Sequence, residues 1–187
     1  KLESGNRKKM KFLVVSDIHG SSYYAKKLES IIKKENPDKI ILLGDLYYHG
    51  PRNPLTQEYA PKEVATILNS HKDRILAVRG NCDAEVDQMI SEFELQESIS
   101  LTIDGKKFFF THGHHYNIDN LPEEKFDVMV YGHFHTGFIK EKEGKLFVNP
   151  GSISLPKQDT KNSYAIIEKG RISLKDIEGE DINVRDF

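Results

Sequence analysis

The sequence predicts an α/β fold in which two stacked β-sheets carry helices on their outer sides. In the first half of the 187-residue chain, apolar β-type runs alternate with two amphipathic helical stretches, which is typical of a parallel sheet covered by helices. The second half has three pairs of β-type runs joined by two turn residues, a pattern that indicates hairpins. Because no linker separates the halves, we expect one domain over residues 10–187.

The elements of the first half follow from apolar spacing and from helix-breaking residues. Leu28, Ile31 and Ile32 recur at helical spacing, and Asn36-Pro37 stops that helix. Pro61 suits the first turn of a second helix, where its missing N–H is tolerated. The predictions are, in order, a strand over residues 11–16, a helix over 22–35, a strand over 39–43, a functional loop over 44–59, a helix from 61 and a strand over 74–78.

The elements of the second half are mostly strands paired in hairpins. Asp104-Gly105, Glu143-Gly144 and Lys169-Gly170 each separate two β-type runs, and Asp-Gly suits a type I′ turn. One further apolar run stands between the first two hairpins. The predicted strands cover residues 98–103, 106–110, 127–131, 138–142, 145–148, 163–168 and 171–175.

Composition excludes several classes of protein. Charged residues make up 30% and hydrophobic ones 37%, as in globular proteins, and the formal net charge of -2 argues against a broad nucleic-acid-binding face. No apolar run approaches the roughly 20 residues that span a bilayer, so no membrane partner is expected. Cys82 is the only cysteine, so an intramolecular disulfide is impossible, which fits a cytoplasmic location.

The first nine residues are set apart from this fold. Residues 1–9 are polar and basic and lack the apolar core of a signal peptide, whereas Met10 directly precedes the first strand. We expect Met10 to be the natural start. Residues 1–9 are then a leftover of recombinant expression or, as the alternative, a disordered native arm.

Seven side chains of metal-ligand type follow the apolar runs directly. Strands that end together present such residues to one cleft. The pairs Asp17/His19 and His133/His135 are two positions apart, so in an extended strand end both members point the same way. The seven candidate ligands are Asp17, His19, Asp45, Asn81, His112, His133 and His135.

This set of donors has the chemistry of a two-metal hydrolase. One ion with seven protein ligands would keep no open position for a substrate. Two ions that share a bridging carboxylate take four protein ligands each and can clamp the attacking and leaving oxygens of an in-line displacement. Imidazole and carboxylate without thiolate suit Mn²⁺, Fe or Zn²⁺ and argue against a structural zinc site.

Five ordered motifs resemble those of the calcineurin-like metallophosphoesterases. Three further segments, residues 49–53, 78–83 and 149–152, are similar to the YfcE-type bacterial phosphodiesterases in particular. The match runs from about residue 11 to residue 154. The five motifs are Asp17-Ile18-His19, Gly44-Asp45, Gly80-Asn81-Cys82-Asp83, Thr111-His112-Gly113-His114 and Gly132-His133-Phe134-His135.

The resemblance implies a four-layer α/β/β/α sandwich of two mixed β-sheets and a binuclear centre. Asp45 would bridge the ions, and a hydroxide between them would attack a small phosphodiester in line, which makes the protein a phosphoric diester hydrolase. Mn²⁺ is favoured, with Fe, Zn²⁺ and Ni²⁺ as alternatives, and the relatives suggest a homo-oligomer, a dimer or a tetramer. The implied ligand sets are Asp17, His19, Asp45 and His135 for one ion, and Asp45, Asn81, His112 and His133 for the other.

Five other residues are assigned to the site. Many relatives have, in place of Cys82, a histidine that stabilises the phosphoryl group or protonates the leaving oxygen; a thiol does this poorly, so aryl phosphodiesters are expected to react best. Asp83 is interpreted as a catalytic-site residue that orients its neighbours. Arg52 and Arg79 are candidates for binding phosphate oxygens, with a surface salt bridge as the equal alternative for each. His114 is expected to face the substrate or to support a ligand.

Three other functions fit parts of the pattern. A phosphomonoesterase would use the same ions. A protein-binding scaffold is the second hypothesis, since the eukaryotic retromer subunit of this superfamily has lost ligands, although all seven are present here. A nuclease is the third, and the lack of a basic surface argues against it.

Overall fold

Two mixed β-sheets packed face to face form the centre of the computed structural model, which describes residues 9–187. The expectations for residues 1–8 therefore lie outside the described residues. The seven-stranded sheet has the order β12-β11-β10-β1-β2-β3-β4, and the five-stranded sheet has the order β5-β6-β7-β9-β8.

The first half of the chain contains the helices and the parallel part of the larger sheet. A single 3₁₀ turn, Lys72–Arg74, precedes the third strand. The elements are β1 (Phe12–Val15), α1 (Ser22–Glu35), β2 (Lys39–Leu42), α2 (Pro61–Asn69), β3 (Ile75–Val78), α3 (Glu85–Ile90) and β4 (Leu95–Gln96).

The second half contributes the five-stranded sheet and then returns to the larger one. Its strands are β5 (Ile99–Ile103), β6 (Lys106–Thr111), β7 (Val128–Tyr131), β8 (Phe138–Lys142), β9 (Lys145–Asn149), β10 (Ser163–Glu168), β11 (Arg171–Asp176) and β12 (Asp181–Asp186). The predicted strands and helices are confirmed. The sequence analysis missed α3, β4 and β12. Helix α3 has only six residues and strand β4 only two, and β12 is exposed along its whole length, so none of them has a clear apolar pattern.

Local sequence signals explain the most accurately predicted parts. The Ser21 side chain accepts a hydrogen bond from the Tyr24 backbone N–H at 3.2 Å and so caps the start of α1. Asn36 ends α1 in the left-handed conformation, with a φ of 47°. Both residues of the Asp104-Gly105 turn have positive φ, 47° and 84°, as the predicted type I′ hairpin requires.

Strand direction decides where polar residues gather. β1, β2, β3 and β4 run parallel, while β10, β11 and β12 are antiparallel to their neighbours. In the other sheet β6, β7 and β9 are parallel, with antiparallel partners at both edges. The carboxyl ends of parallel strands share one edge of a sheet, so the loops that follow β1, β2 and β3 can meet those that follow β6 and β7.

The apolar core has three layers. Alternate residues of each strand face opposite sides, so Val14 and Ile41 pack against the other sheet while Leu13 and Leu42 pack with α1 and α2. On the outer side of the five-stranded sheet, Phe109 packs with aromatic residues of the chain between β6 and β7.

The predicted sandwich of two mixed sheets is confirmed, and its outermost layer has an unexpected form. In residues 9–187 no helix follows Ile90, so irregular chain with Ile118 and Phe126 covers the five-stranded sheet instead. No helix within these residues is long and apolar enough to cross a membrane. We infer that residues 10–187 are one domain, because strands of both sheets share the central core.

The contact between α1 and the larger sheet can be tested with Leu28→Ala. Leu28 is fully buried, so the substitution removes apolar burial and leaves a cavity. We expect the free energy of unfolding, measured by urea denaturation, to fall by about 2–5 kcal/mol. Leu121→Ala is the matched control, because Leu121 is 44% exposed and should cost less than about 0.5 kcal/mol. Equal losses in the two variants would contradict this packing.

Candidate metal centre

The seven predicted ligands all lie in loops that directly follow strands. Asp17 and His19 follow β1, Asp45 follows β2, and Asn81 follows β3. From the other sheet, His112 follows β6, and His133 and His135 follow β7. The structure brings these seven residues together where the two sheets meet.

One group of donors consists of Asp17, His19 and His135. The Nε2 atom of His135 lies 3.2 Å from Asp17 Oδ1, and the Nε2 atom of His19 lies 3.5 Å from the same oxygen. The two Nε2 atoms are 3.2 Å apart. All three donor atoms lie within 4.8 Å of one another, close enough to hold one ion.

A second group consists of Asp45, Asn81, His112 and His133. The Nε2 atom of His112 lies 3.3 Å from Asp45 Oδ2, 3.0 Å from Asn81 Oδ1 and 3.3 Å from His133 Nδ1. Asp45 Oδ2 is also 3.6 Å from His19 Nε2 in the first group. Asp45 therefore lies between the two groups.

The backbone at these residues differs from the sequence-based expectation. An extended strand end was expected to align Asp17 with His19 and His133 with His135. All four have left-handed backbones instead, with φ of 56°, 50°, 66° and 58°, and Asp45 has 54°. Positive φ is uncommon outside glycine but tolerated by Asp and His. The chain turns sharply after each strand, and this turn, rather than strand pleating, aims the side chains into one site.

Three imidazoles are oriented by backbone carbonyls. The Nδ1–H of His19 donates to Tyr48 O at 2.8 Å, that of His112 to Leu43 O at 2.6 Å, and that of His135 to Leu155 O at 2.7 Å. In the neutral ring the proton stays on Nδ1, and each Nε2 then presents a lone pair to the site. This arrangement suits metal binding.

In each of the two carboxylates, one oxygen accepts the hydrogen bonds that hold the side chain in place. Asp17 Oδ2 accepts from Ser16 Oγ at 2.5 Å and from His133 N at 3.0 Å, and Asp45 Oδ1 accepts from Cys82 N at 2.8 Å. Asp17 Oδ1 is buried and has no hydrogen-bond donor. A buried, unpaired carboxylate oxygen is costly unless a cation compensates it, so this oxygen fits a metal ligand.

Comparison with known proteins agrees with this geometry. Residues 10–170 match the family model of the calcineurin-like phosphoesterase superfamily domain. The phosphodiesterase YfcE of Escherichia coli is 39% identical over 168 residues, which cover 88% of this chain and 91% of that protein. This chain belongs to the calcineurin-like phosphoesterase superfamily. The enzymes of this family use divalent metal ions.

Two further comparisons concern structure and activity. The solved structure of the E. coli YfcE phosphoesterase superposes with a TM-score of 0.91, at 34% identity, and covers 95% of this chain and 99% of that one. The phosphodiesterase MJ0936 of Methanocaldococcus jannaschii is 30% identical over 151 residues, 76% of this chain and 83% of that protein. Vps29 of Entamoeba histolytica, at 22% identity, a TM-score of 0.63 and coverage of 95% and 99%, shares the fold alone.

Asp83 connects two of the phosphoesterase loops and belongs to none of the candidate ligand groups. Its carboxylate accepts backbone N–H bonds from Asp45 at 2.7 Å, Leu46 at 2.9 Å and Gly80 at 2.7 Å. It thereby fixes the loop after β2 to the loop after β3. Burial, followed by the charge of Asp45, raises the pKa of Asp83, and these three donors oppose that shift.

Glycines allow the loops to approach the carboxylates closely. A Cβ on Gly80 would lie 2.1 Å from Asp45 Oδ1, and a Cβ on Gly132 would lie 2.6 Å from Asp17 Oδ2. No side chain fits at either position without moving a carboxylate. These contacts explain why glycine precedes Asn81 and His133 in the phosphoesterase motifs.

A cleft of about 440 Å³ opens over the candidate ligands. Asp45, Asn81, His133 and His135 form part of its lining, together with Cys82. The sulfur of Cys82 belongs to a cluster with the donor atoms of His19 and Asp45, all within 4.8 Å of one another. The rest of the lining comprises Tyr48, Gly50, Pro51, Arg52, Asn53, Ala84 and Lys157.

Two predicted substrate-binding residues do not line this cleft. Arg79 lies beside the edge strand β4, where its backbone N–H donates to Gln96 O at 2.7 Å. The ring of His114 is tilted against that of His115, with centroids 3.9 Å apart, and its centroid lies 5.3 Å from that of His112. The assignment of Arg79 and His114 to substrate binding therefore stays a prediction. The ring of His114 lies near the candidate ligands His112 and His133, which fits the alternative that it supports a ligand. Arg52 does line the cleft.

Sequence reasoning missed Lys157 and the carbonyls that orient the imidazoles. Lys157 lies in the loop after β9, and its backbone N–H donates to His135 O at 2.9 Å. A single lysine in a polar loop has no pattern that would single it out. Backbone carbonyls are present at every residue, so Tyr48, Leu43 and Leu155 could not be recognised before folding placed them.

Several histidines and carboxylates of the site have pKa values shifted from their usual ones. Burial lowers the pKa of His112, but the hydrogen bond to Asp45 and the charges of Asp17 and Asp45 outweigh it and raise the pKa to about 9. Burial also opposes ionisation of Asp17, yet the neighbouring imidazoles of His135 and His19 and the charge of His112 hold its pKa well below the usual value. Burial and the charge of His112 lower the pKa of His133. In the metal-free protein a proton on His112 thus compensates the carboxylates.

This proton should compete with metal ions. His112 stays protonated below its pKa of about 9, and its Nε2 must be free before it can bind a metal, so metal affinity should rise with pH up to that value. We expect calorimetry of the metal-free protein with Mn²⁺ between pH 6.5 and 8.5 to show an increase approaching tenfold per pH unit, with proton release. His71→Gln, a change outside the cleft, should keep this slope. A pH-independent affinity would contradict the prediction.

Proposed function

We propose that this chain is a metal-dependent phosphodiesterase whose two divalent ions are held by the seven ligands described above. The position of Asp45 between two groups of donors carries this proposal. Asp17, His19 and His135 complete one set with Asp45, and Asn81, His112 and His133 complete the other. When bound, two such ions supply a Lewis-acid clamp on phosphate oxygens and a water that ionises near neutral pH.

The choice of a diester as substrate is supported by the relatives rather than by the ligands. YfcE and MJ0936 are both named phosphodiesterases, and each is at least 30% identical to this chain. The same ligands would serve a phosphomonoesterase. A direct comparison of bis-p-nitrophenyl phosphate with p-nitrophenyl phosphate, after metal removal and Mn²⁺ addition, separates the two activities. We expect higher kcat/KM for the diester.

The residues around the ions have separate tasks. Carbonyls of Tyr48, Leu43 and Leu155 keep three imidazoles in the tautomer that binds metal. Asp83 keeps the loop with Asp45 in place. We propose Mn²⁺ as the resident ion from the family resemblance, and metal analysis of the purified protein tests that choice. A cytoplasmic location and a dimer or tetramer stay predictions, the latter open to light scattering.

Cys82 occupies the position beside the ligands where a proton donor would help the leaving group. Burial, followed by the charge of Asp45, raises the pKa of its thiol to about 12. The thiol therefore stays neutral at physiological pH, which argues against Cys82 as a nucleophile. A neutral S–H is also a weak hydrogen-bond donor. We infer that the leaving oxygen departs with little help from Cys82.

A protein-binding scaffold is the competing hypothesis. The fold is shared with Vps29, but likeness at 22% identity extends to fold alone. All seven candidate ligands are present in this chain and converge on one site. These observations favour catalysis. Stoichiometric metal without turnover of either substrate would favour the scaffold.

Asp45→Ala tests the shared ligand directly. The substitution removes a donor from both groups, so we expect kcat/KM for bis-p-nitrophenyl phosphate to fall by more than about 1,000-fold at saturating Mn²⁺. Asp73→Ala removes an exposed carboxylate outside the cleft and serves as the control, with activity near that of the wild type. If Asp45→Ala kept a tenth or more of the activity, a shared-ligand site would be wrong.

Cys82→His tests the missing proton donor. An imidazole at this position can protonate a poor leaving group, which general-acid catalysis typically rewards by about 100-fold or more. We expect a series of aryl methyl phosphodiesters to show a steep dependence of kcat on the leaving-group pKa in the wild type and a shallower one in Cys82→His. Cys82→Ala is the control and should keep the steep slope. A shallow slope in the wild type would show that another residue already donates the proton.

A further inference from the structure

Two cationic side chains, Arg52 and Lys157, line the cleft outside the metal-ligand groups. Within residues 9–187 neither forms an ion pair, whereas many other cations of the surface do. Asp45 is the one carboxylate in the lining, and it belongs to the ligand groups. The part of the chain that the structure describes thus supplies no anion for these two charges.

The backbone of Lys157 is fixed against the ligand His135. The Lys157 N–H donates to His135 O at 2.9 Å, and the hydroxyl of Thr160 donates to Lys157 O at 2.7 Å. Left-handed backbones at Gln158 and Asp159, with φ of 54° and 57°, turn the chain back between them. The side chain of Lys157 is exposed, but the backbone that carries it is held beside the candidate ligand His135.

Arg52 is presented by a tight turn on the loop after β2. Asn53 donates its side-chain N–H to His49 O at 2.8 Å and its backbone N–H to Gly50 O at 3.2 Å, which closes the turn around Arg52. A Cβ on Gly50 would lie 3.2 Å from Cys82 Sγ, so this turn packs on the floor of the cleft. The two cations therefore come from separate loops, each anchored to a residue of the site.

The size of the cleft and the two charges together point to a larger anion than the scissile group. A volume of about 440 Å³ is within the range of roughly 300–1,000 Å³ typical of small-molecule sites, and it holds much more than one phosphate. A phosphate monoester carries about -1.5 to -2 charges near pH 7, which matches one guanidinium and one ammonium. Arginine and lysine are the common partners of such groups.

We propose that Arg52 and Lys157 bind a second phosphate group of the substrate. The substrate class is then a phosphodiester that carries an additional phosphate monoester away from the bond that is cleaved. This inference rests on the proposed phosphodiesterase function and deepens it.

The test compares two substrates that differ only in that phosphate. Thymidine 5′-(p-nitrophenyl phosphate) and its 3′-phosphate release the same p-nitrophenolate from the same diester. We expect kcat/KM of the wild type to be about five- to twenty-fold higher for the 3′-phosphorylated compound, since an exposed ion pair is typically worth up to about fivefold. Lys157→Gln and Arg52→Gln should each lower this ratio by about two- to fivefold, chiefly through KM.

Matched variants separate charge from structure. Lys157→Arg keeps the charge and should keep the preference. Lys169→Gln removes an exposed lysine from the turn between β10 and β11, outside the cleft, and should change neither substrate. A ratio near one in the wild type, or an equal loss on both substrates in Lys157→Gln, would overturn the inference, because the cations would then not distinguish a second phosphate.

A binding measurement keeps this test independent of turnover. Calorimetry should show tighter binding of thymidine 3′,5′-bisphosphate than of thymidine 5′-monophosphate to the wild type, and Lys157→Gln should reduce that difference. Absence of turnover with every divalent ion, together with this binding preference, would remove the proposed function and leave the phosphate site standing. Equal binding of the two nucleotides would overturn the phosphate site whatever the activity.

Discussion

The burial of Asp17 and Asp45 among four imidazoles governs how the loops of this protein are arranged. Two carboxylates with little access to water need compensating positive charge, and Asp17 Oδ1 has no hydrogen-bond donor of its own. In the metal-free protein, a raised pKa at His112 supplies part of that charge as a proton. Divalent ions can replace this proton, because the buried carboxylates favour a cation in either form.

Several less conspicuous features serve this burial. Left-handed backbones at Asp17, His19 and Asp45 turn donors inward directly after the strands. Such conformations cost energy and persist where the surrounding structure enforces them, here through parallel pairing of β1 with β2 and through the carboxylate of Asp83. The strained backbone conformations thus occur in several loops, and the two sheets beneath these loops hold them in place.

The charges of the cleft divide it into two zones. Its floor has carboxylates and imidazoles suited to metal ions. Its rim has Arg52 and Lys157, which have no carboxylate partner among residues 9–187. Cys82 lies between these zones and contributes a thiol that stays neutral. Chemistry at the floor would therefore be common to the superfamily, while the rim would decide which diester is accepted.

The strands, the main helices and the identity of the donors could be predicted from the amino-acid sequence alone. Ser21, Asn36 and the Asp-Gly turn have local effects on backbone geometry, and apolar alternation needs no knowledge of distant contacts. It also indicated that Arg52 lies near the site. Its assignments of Arg79 and His114 as substrate-binding residues stay predictions, and neither residue lines the cleft beside Arg52.

The direction of the donor side chains and the groups that surround them depend on contacts between distant parts of the chain. The carbonyls of Tyr48, Leu43 and Leu155 meet their imidazoles across 29, 69 and 20 positions of sequence. Lys157 enters the cleft because its loop is bonded to His135, which no periodicity reveals. Residue types and local turns are properties of short segments, whereas the shared position of Asp45 and the unpaired cations arise only when two sheets bring distant loops to one place.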